Sequence, residues 1–187
     1  MKKFLYLAVA AMLSQHANAQ SDAEMKAWQE YMTPGDVHKM VASWDGEWKT
    51  ETRMWMEPGK EPITAAGSCT YQMVLGGRYQ QTSFKGEMMG MPFEGLGTLG
   101  YDNVKKVFVS TWMDNMSTGT MVLQGKWDDK TRSMTLIGTT TDVTTGKDSK
   151  VREVYTVKSD NEHVMETWMV DPKSGKEWKG MEITFRR

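Results

Sequence analysis

The chain of 187 residues carries one cysteine, three histidines and five prolines. A lone thiol, Cys69, excludes an internal disulfide, and no CxxC or Cys/His cluster of zinc spacing is present. Charge of one sign is also missing. The 23 basic and 24 acidic side chains leave a net charge of -1, without the basic stripe that a nucleic-acid surface requires. No apolar run reaches the roughly 20 residues that span a bilayer as a helix. A GxSxG elbow, HExxH, a P-loop and a dinucleotide fingerprint are all absent. These absences give no reason to expect a cofactor, nucleic acid or a membrane span. The length fits one domain, as a monomer or small homo-oligomer.

In surplus are 17 glycines, 18 methionines and 8 tryptophans. At the start, Lys2 and Lys3 precede an apolar run from Phe4 to Leu13, and Ala17-Asn18-Ala19 follows as a small-x-small site. This pattern predicts a secretory signal peptide over 1–19, cleaved near Ala19, and so a periplasmic or secreted bacterial protein. A buried N-terminal helix is the competing reading, and the cleavage triplet fits it poorly. No cysteine stands at the cleavage site, so a lipid anchor is not expected.

A helical segment is predicted over 20–45. Met25, Trp28, Gln29 and Met32 share a face at i, i+3, i+4, i+7 spacing, Thr33-Pro34-Gly35 breaks the pattern, and a second short helix starts at Asp36. From Gly46 the period changes to 2. Strands are predicted over 47–57, 66–75, 78–88, 93–101, 106–114, 118–127, 133–141, 149–158, 163–170 and 177–186, divided by short Gly-, Pro-, Asn- and Asp-bearing turns. Such short links join only antiparallel neighbours.

In the first run Trp48, Thr50, Thr52, Met54 and Met56 share a face, in the second Cys69, Tyr71, Met73 and Leu75, and in the last Lys179, Met181, Ile183 and Phe185. A long antiparallel sheet with one apolar face must hide its two edges, and closing on itself does so. The expected fold is therefore all-β: a single closed antiparallel up-and-down β-barrel of about ten strands over 46–187. Gly95, Gly97 and Gly100 would let the strands bend. A two-sheet sandwich is the alternative.

The passage Trp44-Asp45-Gly46-Glu47-Trp48, where the helical prelude gives way to strand one, resembles the start of lipocalin and fatty-acid-binding (calycin) barrels. The resemblance implies that Trp48 plugs the closed end of the barrel, covered by a cation from the last strand, Arg186 or Arg187. A second resemblance covers nearly all of the chain after the leader. Met91-Pro92-Phe93-Glu94-Gly95-Leu96-Gly97-Thr98-Leu99-Gly100-Tyr101-Asp102, with Val109-Ser110-Thr111-Trp112-Met113-Asp114-Asn115, is similar to a bacterial secreted group, domain-of-unknown-function family 1579. It implies a calycin-like barrel and export, and carries over no catalytic residue.

Barrel patterning with a surplus of Met and aromatics points to a small hydrophobic or amphipathic ligand. Met54, Tyr71, Met73, Phe84, Trp112, Met113, Met165 and Trp168 are the expected liners, with Arg78, Gln80 and Thr111 as polar anchors. Three other chemistries compete. Thioethers select Cu(I), which would place a metal at Met88, Met89 and Met91 with His163. His163 is also the one strand histidine that could hold haem. Glu153 and Glu166, if both pointed inward, could work as acid and base in a lyase- or isomerase-type enzyme. A barrel filled by its own side chains would instead be an envelope interaction module. Finally, Trp-Met followed closely by an acid ends three strands (Trp55-Met56-Glu57, Trp112-Met113-Asp114 and Trp168-Met169-Val170-Asp171), either ringing one mouth or only closing strands.

Overall fold

The computed structural model describes residues 21–171 and 174–187. The expected signal peptide lies outside them. Residues 21–32 are helical, with Met25, Trp28 and Met32 exposed, and Thr33 Oγ1 donates to the Gln29 carbonyl at 2.6 Å. This helix, α1, falls in a compact unit ending at Thr33; Pro34–Arg187 form the second unit. The remainder of this section concerns that second unit.

It opens with α2, Asp36–Ala42. Ten strands follow: β1 Gly46–Met54, β2 Ile63–Val74, β3 Tyr79–Met88, β4 Met91–Asp102, β5 Val107–Asp114, β6 Met121–Asp128, β7 Ser133–Thr141, β8 Asp148–Ser159, β9 Glu162–Val170 and β10 Glu177–Arg186. Each pairs antiparallel with the next, and β1 pairs with β10, so the sheet is a closed up-and-down barrel. The closing seam runs from Lys49 opposite Arg186 to Met54 opposite Met181.

Alternation decides which side chains enter. In β1, Trp48, Thr50 and Thr52 are buried between exposed neighbours; in β4, Phe93, Gly95 and Gly97 are, and Leu99 continues the buried series. β1 stops at Met54, so Met56 stands outside it, exposed. Leu75 lies in the β2–β3 turn with a φ of 51° and is exposed. One β-bulge, between Lys179 and Met181, breaks the alternation of β10. Lys179 therefore stands on the outer face, where its ammonium bonds Glu166 and Glu182, while Met181 packs against the core and Ile183 and Phe185 are buried in it. The β4 glycines make room for a neighbour: a Cβ on Gly95 would come within 2.2 Å of the Trp112 ring.

Because the strands run up and down, the turns fall into two sets. Those after β2, β4, β6 and β8 share one end with the start of β1, the end of β10 and α2. That end is closed. Val41 and Trp44 are buried there, and the Trp48 indole, 1% exposed, donates to the Trp44 carbonyl at 2.9 Å. Gln80 ties α2 down by donating to the Val41 carbonyl and Asp45 Oδ1, both at 2.9 Å, and Asp45 Oδ2 accepts from the Met73 amide.

The cation over Trp48 is Arg187, 4.5 Å from the ring centroid, and not Arg186. Its guanidinium also donates to the carbonyls of Asp160, Asp45 and Ser43, so one side chain ties the β8–β9 turn to the segment after α2. Arg186 is on the outer face and pairs with Glu162 and Glu51. The pleat explains the difference, since buried Phe185 turns inward and the residue after it turns out. Arg187→Ala is expected to lower stability by about 1–2 kcal/mol through the lost cation–π contact and carbonyl bonds. Arg186→Ala, which removes exposed ion pairs, costs under about 1 kcal/mol. Urea midpoints of the two variants check the order.

Candidate functional site

Above the plug the interior is not filled by side chains. A cavity of about 1030 Å³ occupies the barrel, reaching from Trp44 and Tyr155 to the turns after β1, β3, β5 and β7. Its wall is largely apolar, with Met54, Met121, Met165, Met169 and Met181 beside Phe84, Phe93, Trp112 and Leu136. The mouth is polar and includes Glu87, Asp114, Asn115, Thr140 and Asp148. The three strands that close on Trp-Met and an acid all end at this mouth. Their side chains do not act alike: Trp112 and Met169 line the cavity, Met113 and Met56 are exposed, and Trp55 lies beneath the cations of Arg53 and Lys179.

Of the expected liners, Met54, Tyr71, Phe84, Trp112 and Met165 line the cavity. Met73, Met113 and Trp168 do not. Met113 follows inward Trp112 and is exposed; Trp168 follows buried Thr167 and turns outward beneath Arg152, whose guanidinium carbon is 5.0 Å from its ring. Adjacent strand residues cannot both face in. Met73 sits at the closed end, near Asp45. The expected anchors are otherwise engaged. Arg78 is exposed at the β2–β3 turn and donates to the Leu75 carbonyl; Gln80 reaches the cavity, but its amide nitrogen holds α2; the Thr111 hydroxyl shares a 2.7 Å hydrogen bond with that of Thr98.

The proposed copper set is split. Met88, Met89 and Met91 flank the β3–β4 turn at the mouth, whereas His163 begins β9 at the closed end. His163 is 1% exposed and does not line the cavity. It stacks on Trp48 at 4.4 Å between ring centroids, and its Nδ1 is 2.6 Å from the Tyr155 hydroxyl. A haem in the cavity would therefore not meet the histidine expected to hold it. Burial, with Arg187 and Arg132 adding positive charge, pushes the His163 imidazole down to about 4. The Tyr71 hydroxyl and the Cys69 thiol lie beyond Tyr155, so polar groups cross the barrel floor from β9 to β2. Burial raises the Cys69 thiol to about 12, which leaves it a poor nucleophile.

The two glutamates also part company. Glu166 is on the outer face with Lys179, while Glu153 lines the cavity midway along β8, between Leu136 of β7 and Thr167 of β9. They do not form an acid–base pair. Burial alone raises the Glu153 carboxyl to about 7. Thr167, 9% exposed, lines the same wall, and its hydroxyl oxygen has no partner among the described residues. Sequence reasoning named Glu153 without placing it and missed Thr167. Both lie in register beside inward Tyr155 and Met165, the signal that would have found them.

A one-mouthed, ten-stranded up-and-down barrel closed by a cation-stacked tryptophan defines a calycin-like protein with a cavity. A family model described as "Protein of unknown function (DUF1579)" matches residues 33–187, and the chain belongs to that family. Among solved structures, the crystal structure of Rv2717c from M. tuberculosis superposes with a TM-score of 0.60 at 13% identity, covering 83% of this chain and 99% of its own. That likeness is one of fold. A redesigned β-barrel aligns with a TM-score of 0.43 at 12% identity, over 79% of this chain and 93% of its own. No curated protein matches.

Glu153 and His163 pull the stability in opposite directions. Folded Glu153 holds its proton up to about 7 against an ordinary 4.5, so the fold loses stability as pH rises through that interval. His163 releases its proton at about 4 instead of 6.5, so the fold gains stability as pH rises from about 4 to 6.5. Over the shared range the two contributions cancel. Glu153→Gln uncovers the histidine: urea titrations of that variant are expected to show stability rising from pH 4.5 to 6.5. At pH 8 it exceeds the parent by up to about 3 kcal/mol, less what water in the open cavity screens.

Proposed function

We propose that this protein is an exported barrel that binds a small apolar or amphipathic ligand. The observation that carries the reading is the cavity of about 1030 Å³, walled by thioethers and aromatic rings and open through a polar mouth. Its volume is at the upper end of small-molecule sites, which run to roughly 1,000 Å³. Methionine suits such a wall, because a flexible, polarisable side chain adapts to occupants of different outline. Covering about 300 Å² of ligand apolar surface yields roughly 7–8 kcal/mol before the costs of association, so binding needs no bond-making step. Rigidity supports the same reading: the closed end is held by Gln80, Asp45 and Arg187, which leaves the interior preformed. Export is argued from the leader pattern over 1–19.

Native mass spectrometry of protein purified from its own host is expected to show a retained small molecule. The uncharged fluorophore N-phenyl-1-naphthylamine is expected to brighten on entering the barrel, and Met165→Trp, which sets an indole into the cavity, to weaken that uptake at least tenfold with the fold intact. A ligand-free protein that also refuses the fluorophore would overturn the reading. For export, a periplasmic form beginning at Gln20 is expected from N-terminal sequencing; a cytoplasmic protein retaining residues 1–19 contradicts it.

A further inference from the structure

Among the described residues, the charged groups that line the cavity are all of one sign: Glu87, Asp114 and Asp148 stand at the mouth and Glu153 in the interior, with no lysine, arginine or histidine beside them in the lining. The mouth acids are solvated or engaged; Asp114, for instance, accepts from the Trp112 indole at 2.9 Å and from the Met116 amide. Glu153 is different. Its flanking residues are Val151 and Tyr155 on its own strand, Leu136 on β7 and Thr167 on β9, and none of them carries a positive charge. Burial is the only influence on its carboxyl, with no hydrogen bond and no cation to offset it. Directly across the β8–β9 pair, the Thr167 hydroxyl is buried at the cavity wall with its oxygen unpartnered. A carboxyl and a hydroxyl, neither hydrogen-bonded among the described residues, stand side by side on a largely apolar wall and leave acceptor oxygens open to a donor from the cavity side.

Resting on the ligand-binding reading above, we infer that the barrel is selective for amphipathic amines: an apolar body fills the cavity and a protonated amino group docks between Glu153 and Thr167. An ammonium is a donor-only group that can bond both oxygens at once, and its charge offsets that of Glu153. The acids lining the mouth favour cations and discourage fatty acids, whose carboxylate would meet like charges and no counter-ion among the described lining residues. With its carboxyl raised to about 7, Glu153 is poised to ionise when an ammonium arrives.

The test is displacement of N-phenyl-1-naphthylamine at pH 7.5 by decylamine, decanol and decanoate, three chains matched in length that differ in the head group. Decylamine is expected to bind at least tenfold more tightly than decanol, as a charge-assisted contact warrants, and decanoate most weakly. Glu153→Gln brings decylamine to within about threefold of decanol and leaves decanol unchanged. Thr167→Val, which keeps the shape and removes the acceptor, weakens decylamine severalfold. Should Glu153→Gln fail to fold, the parent's amine-to-alcohol ratio and Thr167→Val still decide. Equal displacement by all three chains, a preference for decanoate, or an amine preference that survives both variants overturns the amine assignment and leaves the cavity reading standing. If the fluorophore never enters the parent barrel, the cavity reading falls and the assignment with it.

Discussion

The hydrogen-bonded seam between β1 and β10 is what the rest of this molecule depends on. Register pairs from Lys49 with Arg186 to Met54 with Met181 join the first strand to the last. Without them two unpaired strand margins would be exposed to solvent, and the apolar faces of all ten strands would need some other cover. With them, one sheet becomes its own container. The seam also brings the C-terminus to the start of β1, and this alone lets Arg187 reach the Trp48 ring and the carbonyls of Ser43 and Asp45. Closure and plug are thus one arrangement viewed at two scales.

The interior is layered. At the closed end, Trp44, Trp48, Tyr155 and His163 form a floor of rings, with the Trp48 indole donating to the Trp44 carbonyl and the Tyr155 hydroxyl bonded to His163. A floor of this kind is costly to rearrange, because each of its polar groups would be left unpaired in an apolar setting. Above it, thioethers and rings leave room, and there the Thr167 hydroxyl oxygen has no partner among the described residues.

Much of the architecture was legible in the sequence, since a period of two with short turns leaves few topologies open. The predicted strands 78–88, 133–141 and 177–186 correspond closely to β3, β7 and β10. The class and the family follow from the same residues. Facing was harder to read. Met113 and Trp168 are apolar neighbours of true liners, and hydrophobicity alone gave no reason to turn them out; the pleat did. Arg186 and Arg187 differ by a single step, and that step separates a surface ion pair from the plug. His163 could be singled out as unusual, but its stacking on Trp48 depends on β1 and β9 sharing β10 as a neighbour, a relation that spans most of the chain.

The bulge at Gly180 has a wider consequence. Regular alternation backwards from Phe185, Ile183 and Met181 would carry Lys179 across the wall, on the opposite side from the two carboxylates it now bonds. The barrel would then enclose a positive charge near Thr167, which faces Met181 across the strand pair, and Glu153 would gain a counter-ion of its own. The bulge therefore decides which sign of charge the enclosed space carries: by absorbing one extra backbone residue, the tenth strand keeps its ammonium outside and its thioether within.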